Sequence, residues 1–206
     1  ASPDNSGSTT STLINFTGVC YGNGIFVTVS SILSPSTFKT SIMISIDGIT
    51  WIHSNYSNST SFNAICYGNG KFVAVSSTLS NLITTSSDGI NWTVRTYPAG
   101  LSSLSSVCYG SGLFVALISS GVSSDVKNII NSDDGINWII PQTFVYPNTL
   151  PSWQMVCYGN GIFAAISNTD TDPKVMTSGK QEYNALDNIG GQGIQGPTGL
   201  QGPTGQ

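Results

Sequence analysis

The sequence predicts an all-β head of four repeats followed by a collagen-like triple helix. Three observations support this prediction. A stretch containing Cys-Tyr-Gly recurs four times, a second motif containing Asp-Gly follows it in three of the four units, and glycine occupies every third position near the C-terminus. Such internal self-similarity, with the repeated cysteines 42 to 49 residues apart, is the signature of a repeat architecture.

The first motif predicts a tight β-hairpin in each unit. It reads VCYGNGIFVTVS from Val19, ICYGNGKFVAVS from Ile65, VCYGSGLFVALIS from Val107 and VCYGNGIFAAIS from Val156. Gly-Asn-Gly or Gly-Ser-Gly supplies the positive φ angles that a two-residue hairpin requires. The segment after the turn is rich in β-branched and aromatic residues, which favour strands.

The second motif predicts a further tight turn, between the third and fourth strands. It reads SIDGITW from Ser45, SSDGINW from Ser86 and SDDGINW from Ser132. Asp-Gly is a strong signal for a short hairpin connection. Four antiparallel strands in about 45 residues correspond to one blade of a β-propeller, so the head is predicted to be a four-bladed propeller.

The S-x-D-G-x-x-W motif resembles the Asp-box of sialidase-type propellers, whose usual form, S-x-D-x-G-x-x-W, has one more residue between Asp and Gly. Together with YGNG, it resembles propeller-like repeats of phage, viral and bacterial surface proteins over roughly residues 13–180. The resemblance implies turn-making aspartates and tryptophans packed between blades. These residues are Asp47, Asp88, Asp134, Trp51, Trp92 and Trp138. Such families include both enzymes and pure binders, so the motif implies architecture and not activity.

The fourth unit lacks the Asp and Trp of the second motif. Its outer strand is therefore supplied by the N-terminal stretch STLINF at 11–16, is absent, or comes from a neighbouring subunit. We assign residues 1–12 to an N-terminal segment, 13–183 to the head (blades at about 13–55, 56–98, 99–145 and 146–183), 184–189 to a linker and 190–206 to the collagen-like segment.

The glycines near the C-terminus keep a strict period of three. They are Gly190, Gly193, Gly196, Gly199, Gly202 and Gly205. Only glycine fits at the crowded axis of a collagen triple helix, and Pro197 and Pro203 pre-set the extended backbone. The period predicts a homotrimer held together by this segment, with a flexible Gly-rich linker as the alternative.

The charge pattern argues against two classes of partner. Charged residues make up 8% of the chain, the net charge is −4, and Arg95 is the only arginine. Nucleic-acid binding needs a basic surface that neutralises phosphates, and no apolar run approaches the ~20 residues that span a membrane. We therefore expect no nucleic-acid partner and no membrane insertion. A surface of Ser, Thr and Asn suits an extracellular protein on a virion, phage tail or cell surface.

Residue types that carry out catalysis are scarce. His53 is the only histidine and Glu182 the only glutamate, whereas glycosidases need two carboxylates flanking the bond. The four cysteines hold equivalent repeat positions without C-x-x-C spacing, which favours buried free thiols over disulfides or a metal site. TDTDP at 169–173 is interpreted as a polar loop in preference to a calcium site. We predict no enzymatic activity, no cofactor and no metal.

Three tyrosines between blades fall outside the repeated positions. Tyr56, Tyr97 and Tyr146 each follow the Trp of their blade, in the connection to the next one. The tight turns must lie at one end of a propeller and the long variable loops at the other. Tyrosines at the rim of such an end suit sugars or protein partners, so these three are the candidate ligand-binding residues. The alternative is that they cover the core.

Together these features favour a non-enzymatic, trimeric fibre or adhesin head on a virus, phage or bacterial surface. It would bind a receptor or glycan through its variable inter-blade loops. A structural subunit of an extracellular filament without a ligand is the alternative, and a carbohydrate-active enzyme is a less favoured third interpretation.

Overall fold

Four antiparallel β-sheets follow one another along the chain. The structure is a computed structural model that describes residues 14–32, 42–58, 60–77, 83–98, 103–119, 129–141, 152–168 and 175–178. The described residues contain only strands and turns, which confirms the all-β prediction for them. Among them there is accordingly no helix that could cross a membrane.

Each sheet is one blade, with its strands in sequence order. Blade 1 contains β1 (Ile14–Gly22), β2 (Ile25–Ile32), β3 (Ile42–Ser45) and β4 (Ile52–His53). Blade 2 contains β5 (Phe62–Gly68), β6 (Lys71–Ser76), β7 (Ile83–Ser86) and β8 (Thr93–Val94). Blade 3 contains β9 (Leu104–Gly110), β10 (Leu113–Ile118) and β11 (Ile129–Ser132), and Ile139 bridges to Asn131 where a fourth strand would run. Blade 4 contains β12 (Trp153–Gly159), β13 (Ile162–Ser167) and β14 (Val175–Thr177).

The first two strands of every blade are joined by the predicted two-residue hairpin. In blade 1 Gly22 pairs with Ile25, which leaves Asn23 and Gly24 as the turn, at φ 48° and 80°. Positive φ at both central residues gives the turn a twist that matches the right-handed twist of the strands. The equivalent pairs of turn residues in the other blades have the same geometry.

The Asp-Gly motif forms a longer connection than the tight turn that we expected. β3 ends at Ser45 and β4 begins at Ile52, so six residues lie between the two strands. Asp47 Oδ1 accepts hydrogen bonds from the amides of Ile49 and Thr50 at 2.8 and 2.7 Å, and Ser45 Oγ donates to it at 2.9 Å. These side-chain bonds close the loop in place of the backbone bonds of a two-residue turn.

The same arrangement recurs around Asp88 and Asp134. The amides of Thr50 and Ile49 lower the pKa of Asp47 to about 2. Backbone and side-chain bonds from Asn91 lower the pKa of Asp88. Around Asp134 burial opposes ionisation, but bonds from Asn137 and Ile136 outweigh it and lower the pKa. The turn-making role of the three aspartates thus has an electrostatic basis, since an ionised carboxylate is the better acceptor.

Each innermost strand has a bulge, and in blades 1 to 3 this bulge links the strand to the next blade. The register of β1 against β2 shifts between Phe16 and Gly18, and the other innermost strands have the same irregularity. The extra residue turns its side chain towards the following blade and donates a hydrogen bond to a main-chain carbonyl there. The donors and acceptors are Thr17 Oγ1 and Phe62 O at 2.8 Å, Asn63 Nδ2 and Leu104 O at 2.7 Å, and Ser105 Oγ and Trp153 O at 2.7 Å.

Three apolar cores lie between successive blades, one at each junction. We call the face of a blade that meets the blade before it the N-side face, and the face that meets the blade after it the C-side face. Val27 and Ile44 on the C-side face of blade 1 pack with Phe62 and Phe72 on the N-side face of blade 2. The junctions between blades 2 and 3 and between blades 3 and 4 repeat this packing. Each blade is therefore stabilised by its neighbours, as in other repeat proteins.

The start of the first described strand bears on one of the alternatives for blade 4. Ile14 pairs with Ile32, Asn15 with Ser31 and Phe16 with Ser30, so residues 14–16 belong to β1 of blade 1. These three residues are therefore not an outer strand of blade 4, and closure of that blade by the preceding N-terminal residues stays a prediction. Residues 1–12, the linker and the collagen-like glycines lie outside the described residues.

Candidate binding surfaces

The hairpin turns and the Asp loops lie at the same end of the blades. Asn23 Nδ2 in the blade 1 hairpin donates to the main-chain oxygen of Ser87 in the blade 2 Asp loop, at 3.3 Å. Asn69 Nδ2 in blade 2 donates to the main-chain oxygen of Asp133 in blade 3, at 3.0 Å. We call this the turn end. Because the strands are antiparallel, the strand ends that are joined by the second-to-third-strand connections and by the connections between blades lie at the opposite end, which we call the variable end.

The three candidate tyrosines are not equivalent in the structure. Tyr56 is only 3% exposed, its ring lies 5.4 Å from that of Phe62, and its hydroxyl is 2.7 Å from Thr60 Oγ1. Burial raises the pKa of this hydroxyl. The expectation that Tyr56 stands at an exposed rim is therefore wrong, because its ring fills the junction of blades 1 and 2. Tyr97 is half-buried and packs against the core between blades 2 and 3, and Tyr146 lies outside the described residues.

We expect Tyr56→Ala to destabilise the head by about 3 kcal/mol, because it removes a ring that fills an inter-blade core. Tyr56→Phe keeps the ring and loses one hydrogen bond, and it should cost about 1 kcal/mol. Urea denaturation measures both values, with Ser57→Ala at the exposed neighbouring position as the control. Equal stability of the Tyr56→Ala variant and the parent chain would contradict the buried placement.

The motif tryptophans differ in burial from blade to blade. Trp138 is buried between blades 2 and 3, and Trp92 packs half-buried between blades 1 and 2. Both indole nitrogens donate to the carbonyl of the Asp-loop glycine, Gly135 and Gly89 respectively. Trp51 is half-buried and belongs to none of the described cores, because it lies in blade 1, which has no blade before it.

The four cysteines occupy equivalent positions on the innermost strands, and three of them, Cys20, Cys66 and Cys108, pack against the core shared with the next blade. All four are free thiols, and Cys157 is the exposed one. Burial raises the pKa of Cys20 to about 12, and burial likewise raises the pKa of Cys66 and of Cys108. These three thiols stay neutral at physiological pH, which makes them poor nucleophiles and poor metal ligands.

Within the described ranges no three His, Cys, Asp or Glu side chains are grouped so that they could hold a metal ion. His53 is exposed on the outer strand β4, far along the blade from the innermost cysteines. The side chain of Arg95 is engaged within its own blade, where Nε donates to Thr85 Oγ1 at 2.7 Å. Among the described residues, the histidine, the arginine and the cysteines therefore do not come together at one site.

An apolar cavity of about 80 Å³ lies between blades 3 and 4, lined by residues such as Leu117, Val156 and Phe163. In the two preceding junctions a motif tryptophan lies beside the equivalent phenylalanine, with 6.4 Å between the centroids of Phe72 and Trp92. Blade 4 has no motif tryptophan, and this explains the gap beside Phe163. The cavity is a consequence of the missing motif, and its apolar walls carry no arrangement of charged groups.

Two apolar surfaces that we did not identify from the sequence lie at the ends of the array. The N-side face of blade 1 exposes Phe16, Val19 and Tyr21, which are 52, 61 and 59% accessible. The C-side face of blade 4 exposes Met155 and Ile166. Their repeat equivalents at the three internal junctions are buried or half-buried, so the sequence pattern of these residues is the same as that of core residues. Only their position in the first and the last blade distinguishes them.

Comparisons with known proteins support the architecture. No family model matches the sequence, and no curated protein matches it. The computationally designed Ika4 protein is similar in structure at a TM-score of 0.54 and 10% identity, over 83% of this chain and 93% of that one. The computationally designed Ika8 protein is similar at a TM-score of 0.53 and 10% sequence identity, over 79% of this chain and 45% of that one. The YCF48 chain bound to D1 peptide is similar at a TM-score of 0.51 and 15% sequence identity, over 81% of this chain and 50% of that one.

The chain thus spans about half the length of the Ika8 and YCF48 chains that it matches. At these identities the likeness concerns the fold alone. With the four repeated sheets it establishes a β-propeller-like head built of repeats, as the sequence predicted.

Proposed function

We propose that this chain is a non-enzymatic binding protein, the head of a trimeric fibre or adhesin on the surface of a virus, phage or bacterium. The observation that carries the proposal is the division of every blade into two ends. The turn end repeats the same residues and hydrogen bonds in successive blades. The connections from second to third strand differ in sequence and in length, at 33–41, 77–82, 119–128 and 168–174. Binding loops on a rigid scaffold have this organisation.

A protein or peptide receptor suits this fold as well as a glycan does. The YCF48 structure, which has a similar fold, contains a bound D1 peptide. The polar composition of the connections, rich in Ser, Thr and Asn, offers hydroxyl and amide groups for hydrogen bonds with either kind of ligand. Of the candidate tyrosines, Tyr97 and Tyr146 remain the proposed aromatic contacts at the variable end.

The scarcity of reactive groups supports binding over catalysis. The chain has one histidine, His53, and one arginine, Arg95, whose guanidinium is bonded to its own blade. Electrostatic catalysis and carboxylate recognition both require several such groups aimed at one point. The described part of the chain offers no such convergence.

A loop exchange tests the proposal directly. Residues 120–128 of blade 3 are replaced by residues 78–82 of blade 2, which keeps every strand and every turn-end contact. Binding to bacterial or host-cell surfaces and to a glycan array is then compared with the parent chain. We expect a loss of at least about tenfold in affinity without a change in melting temperature. Unchanged binding after exchange of each variable connection in turn would refute a ligand site at this end.

The stalk is tested by a separate substitution. Gly196→Ala places a methyl group on the axis of a collagen-like triple helix, where three chains leave room only for hydrogen. We expect light scattering to show assemblies of three chains, or of a multiple of three, for the parent chain and a smaller fraction of such assemblies for this variant. Thr198→Ala, at a position away from the axis in the same triplet, is the control. A parent chain without such assemblies would contradict the stalk.

A filament subunit without a ligand is the second candidate, and the two unpaired apolar faces at opposite ends of the array favour it. Faces of this kind can join identical subunits head to tail. Electron microscopy of the native assembly separates the two candidates. Isolated knobs on thin stalks indicate a fibre head, and a continuous polymer indicates a filament.

A further inference from the structure

The four blades form an open array with one unpaired face at each end. Strand β1 packs against β5, β5 against β9, and β9 against β12. Among the described residues, β12 and β1 have no such junction with each other. We propose that the C-side face of blade 4 binds the N-side face of blade 1 in a second copy of this chain, and that two copies close a ring of eight blades. The proposal depends neither on the ligand nor on the stalk.

The first complementary feature is a tyrosine ring on a glycine. At each internal junction a Cβ added to the last glycine of the innermost strand would lie about 2 Å from Cγ of a tyrosine in the next blade. The pairs are Gly22 with Tyr67 at 2.1 Å, Gly68 with Tyr109 at 2.0 Å, and Gly110 with Tyr158 at 2.0 Å. Gly159 is the fourth glycine of this series, and nothing lies within 4 Å of its Cβ position. Tyr21 is the fourth tyrosine, and it is 59% exposed. Both partners of this repeated contact are thus present and unpaired.

The second feature is the bulge hydrogen bond. Thr17, Asn63 and Ser105 each donate to a carbonyl in the next blade, at Phe62, Leu104 and Trp153. Gln154 holds this position in blade 4, where it is exposed and its Nε2 donates to Ser152 Oγ, just before its own strand. The matching acceptor is the carbonyl of Phe16. A Gln154 amide that reaches Phe16 of a second copy continues the series.

The third feature lies at the turn end. Ile25 of blade 1 lies over Gly89 of blade 2, whose added Cβ would be 2.7 Å from Ile25 Cδ1. The equivalent of Gly89 in blade 1 is Gly48, and an added Cβ there would meet Phe26 of its own blade and no other residue. The equivalent of Ile25 in blade 4 is Ile162, which is 42% exposed. Ile162 of one copy therefore fits over Gly48 of the other.

Ring geometry favours a second copy of this chain as the partner that covers the two exposed faces. Identical head-to-tail contacts generate either a closed ring or an open polymer. Propellers typically have about 4–8 blades, so a chain of four blades closes alone or in pairs. The three junctions within the chain are formed, yet they do not bring β12 onto β1. The curvature is therefore too low for a ring of four blades, and two copies give the next ring, of eight.

The experiment measures the mass of the full chain and the accessibility of Cys157, which lies on the unpaired face of blade 4 beside Gly159. Light scattering is performed up to about 100 μM protein, a range that detects micromolar association. We expect an even number of 21.6 kDa chains, that is, two, or six where the stalk also forms trimers. Alkylation of Cys157 by a maleimide should be at least about tenfold slower in the paired protein than in diluted protein, since only unpaired chains react.

Gly159→Ala is the decisive variant, because its methyl group meets open space in one chain and the Tyr21 ring in a pair. We expect its melting temperature, measured in dilute protein, to be unchanged. The dissociation constant of the pair should rise about tenfold to hundredfold, as for an overpacked contact, and the alkylation of Cys157 should become fast. Gln154→Ala should weaken the pair by a smaller factor. Thr96→Ala, at an exposed position away from both faces, is the matched control.

Four results would overturn the proposal. A single-chain mass with a protected Cys157 means that the chain covers its own face, by self-closure or with another segment. A mass that grows with concentration into filaments means that the contact does not close. An odd number of chains, unaffected by Gly159→Ala, means that the stalk alone associates. An even number that Gly159→Ala leaves unchanged means that the pair uses a different surface.

Discussion

Replacing Phe62 with alanine is expected to lower the free energy of unfolding by about 3–5 kcal/mol, the usual range for a fully buried phenylalanine. Phe62 has no exposed surface and lies in the core between blades 1 and 2. Phe16 occupies the same repeat position in blade 1 but is 52% exposed. Phe16→Ala should therefore cost less than about 1 kcal/mol, as substitutions outside the core do. The two variants remove the same side chain from the same repeat position, once in a blade that has a preceding blade and once in a blade that has none.

Urea denaturation followed by tryptophan fluorescence measures both changes. The protein is kept dilute, so that association between copies does not contribute to the apparent stability. If Phe16→Ala costs as much as Phe62→Ala under these conditions, the N-side face of blade 1 is covered within a single chain. The array of blades would then be closed, which would contradict an exposed N-side face of blade 1.

Gly68→Ala is expected to destabilise the head by about 3 kcal/mol, the upper part of the range for overpacking a core. The added Cβ would lie 2.0 Å from Cγ of Tyr109 and 2.3 and 2.5 Å from its Cδ atoms. Cγ is only two bonds from the Tyr109 Cα, so it cannot move aside as the end of a flexible side chain would. The innermost strands of blades 2 and 3 must therefore separate to admit the methyl group.

Thermal and urea unfolding of Gly68→Ala are compared with those of Gly159→Ala, where the added methyl group meets open space in the same repeat position. The double variant Gly68→Ala, Tyr109→Ala should lose less than the sum of the two single variants, because removal of the ring creates room for the methyl group. Strict additivity of the two losses would show that ring and glycine are not in contact.

The repeated hairpin could be predicted in detail because the responsible interactions are local. Asn-Gly between two strands strongly favours positive φ at both of its residues, and Asn23 and Gly24 adopt it as expected. The Asp-Gly connection was predicted to be shorter than it is. Asp47 closes a six-residue loop through its carboxylate, and a dipeptide signal does not specify how many residues a side chain will bridge.

The binding surfaces could be predicted only in part. Departure from the repeat pattern placed Tyr56 among the candidates for an exposed rim, but the ring turns inward onto Phe62 and its hydroxyl finds Thr60. Conversely, Val19 and Tyr21 match core positions of the repeat and are exposed. In both cases burial depends on which blade stands next to the residue, and this is not encoded in the residue's own neighbourhood along the chain.

The sequence by itself determined the strands, the hairpins, the equivalence of the four cysteines and the repeated sheet, because each follows from backbone preferences and hydrophobic patterning within one unit. Only the tertiary structure decided which members of each equivalent set are buried. Val19 and Val107 are alike in sequence and differ in exposure, at 61 and 6%. The physical reason is that a blade buries its apolar faces only against other blades. Among the described residues, three junctions among four blades leave one N-side face and one C-side face exposed.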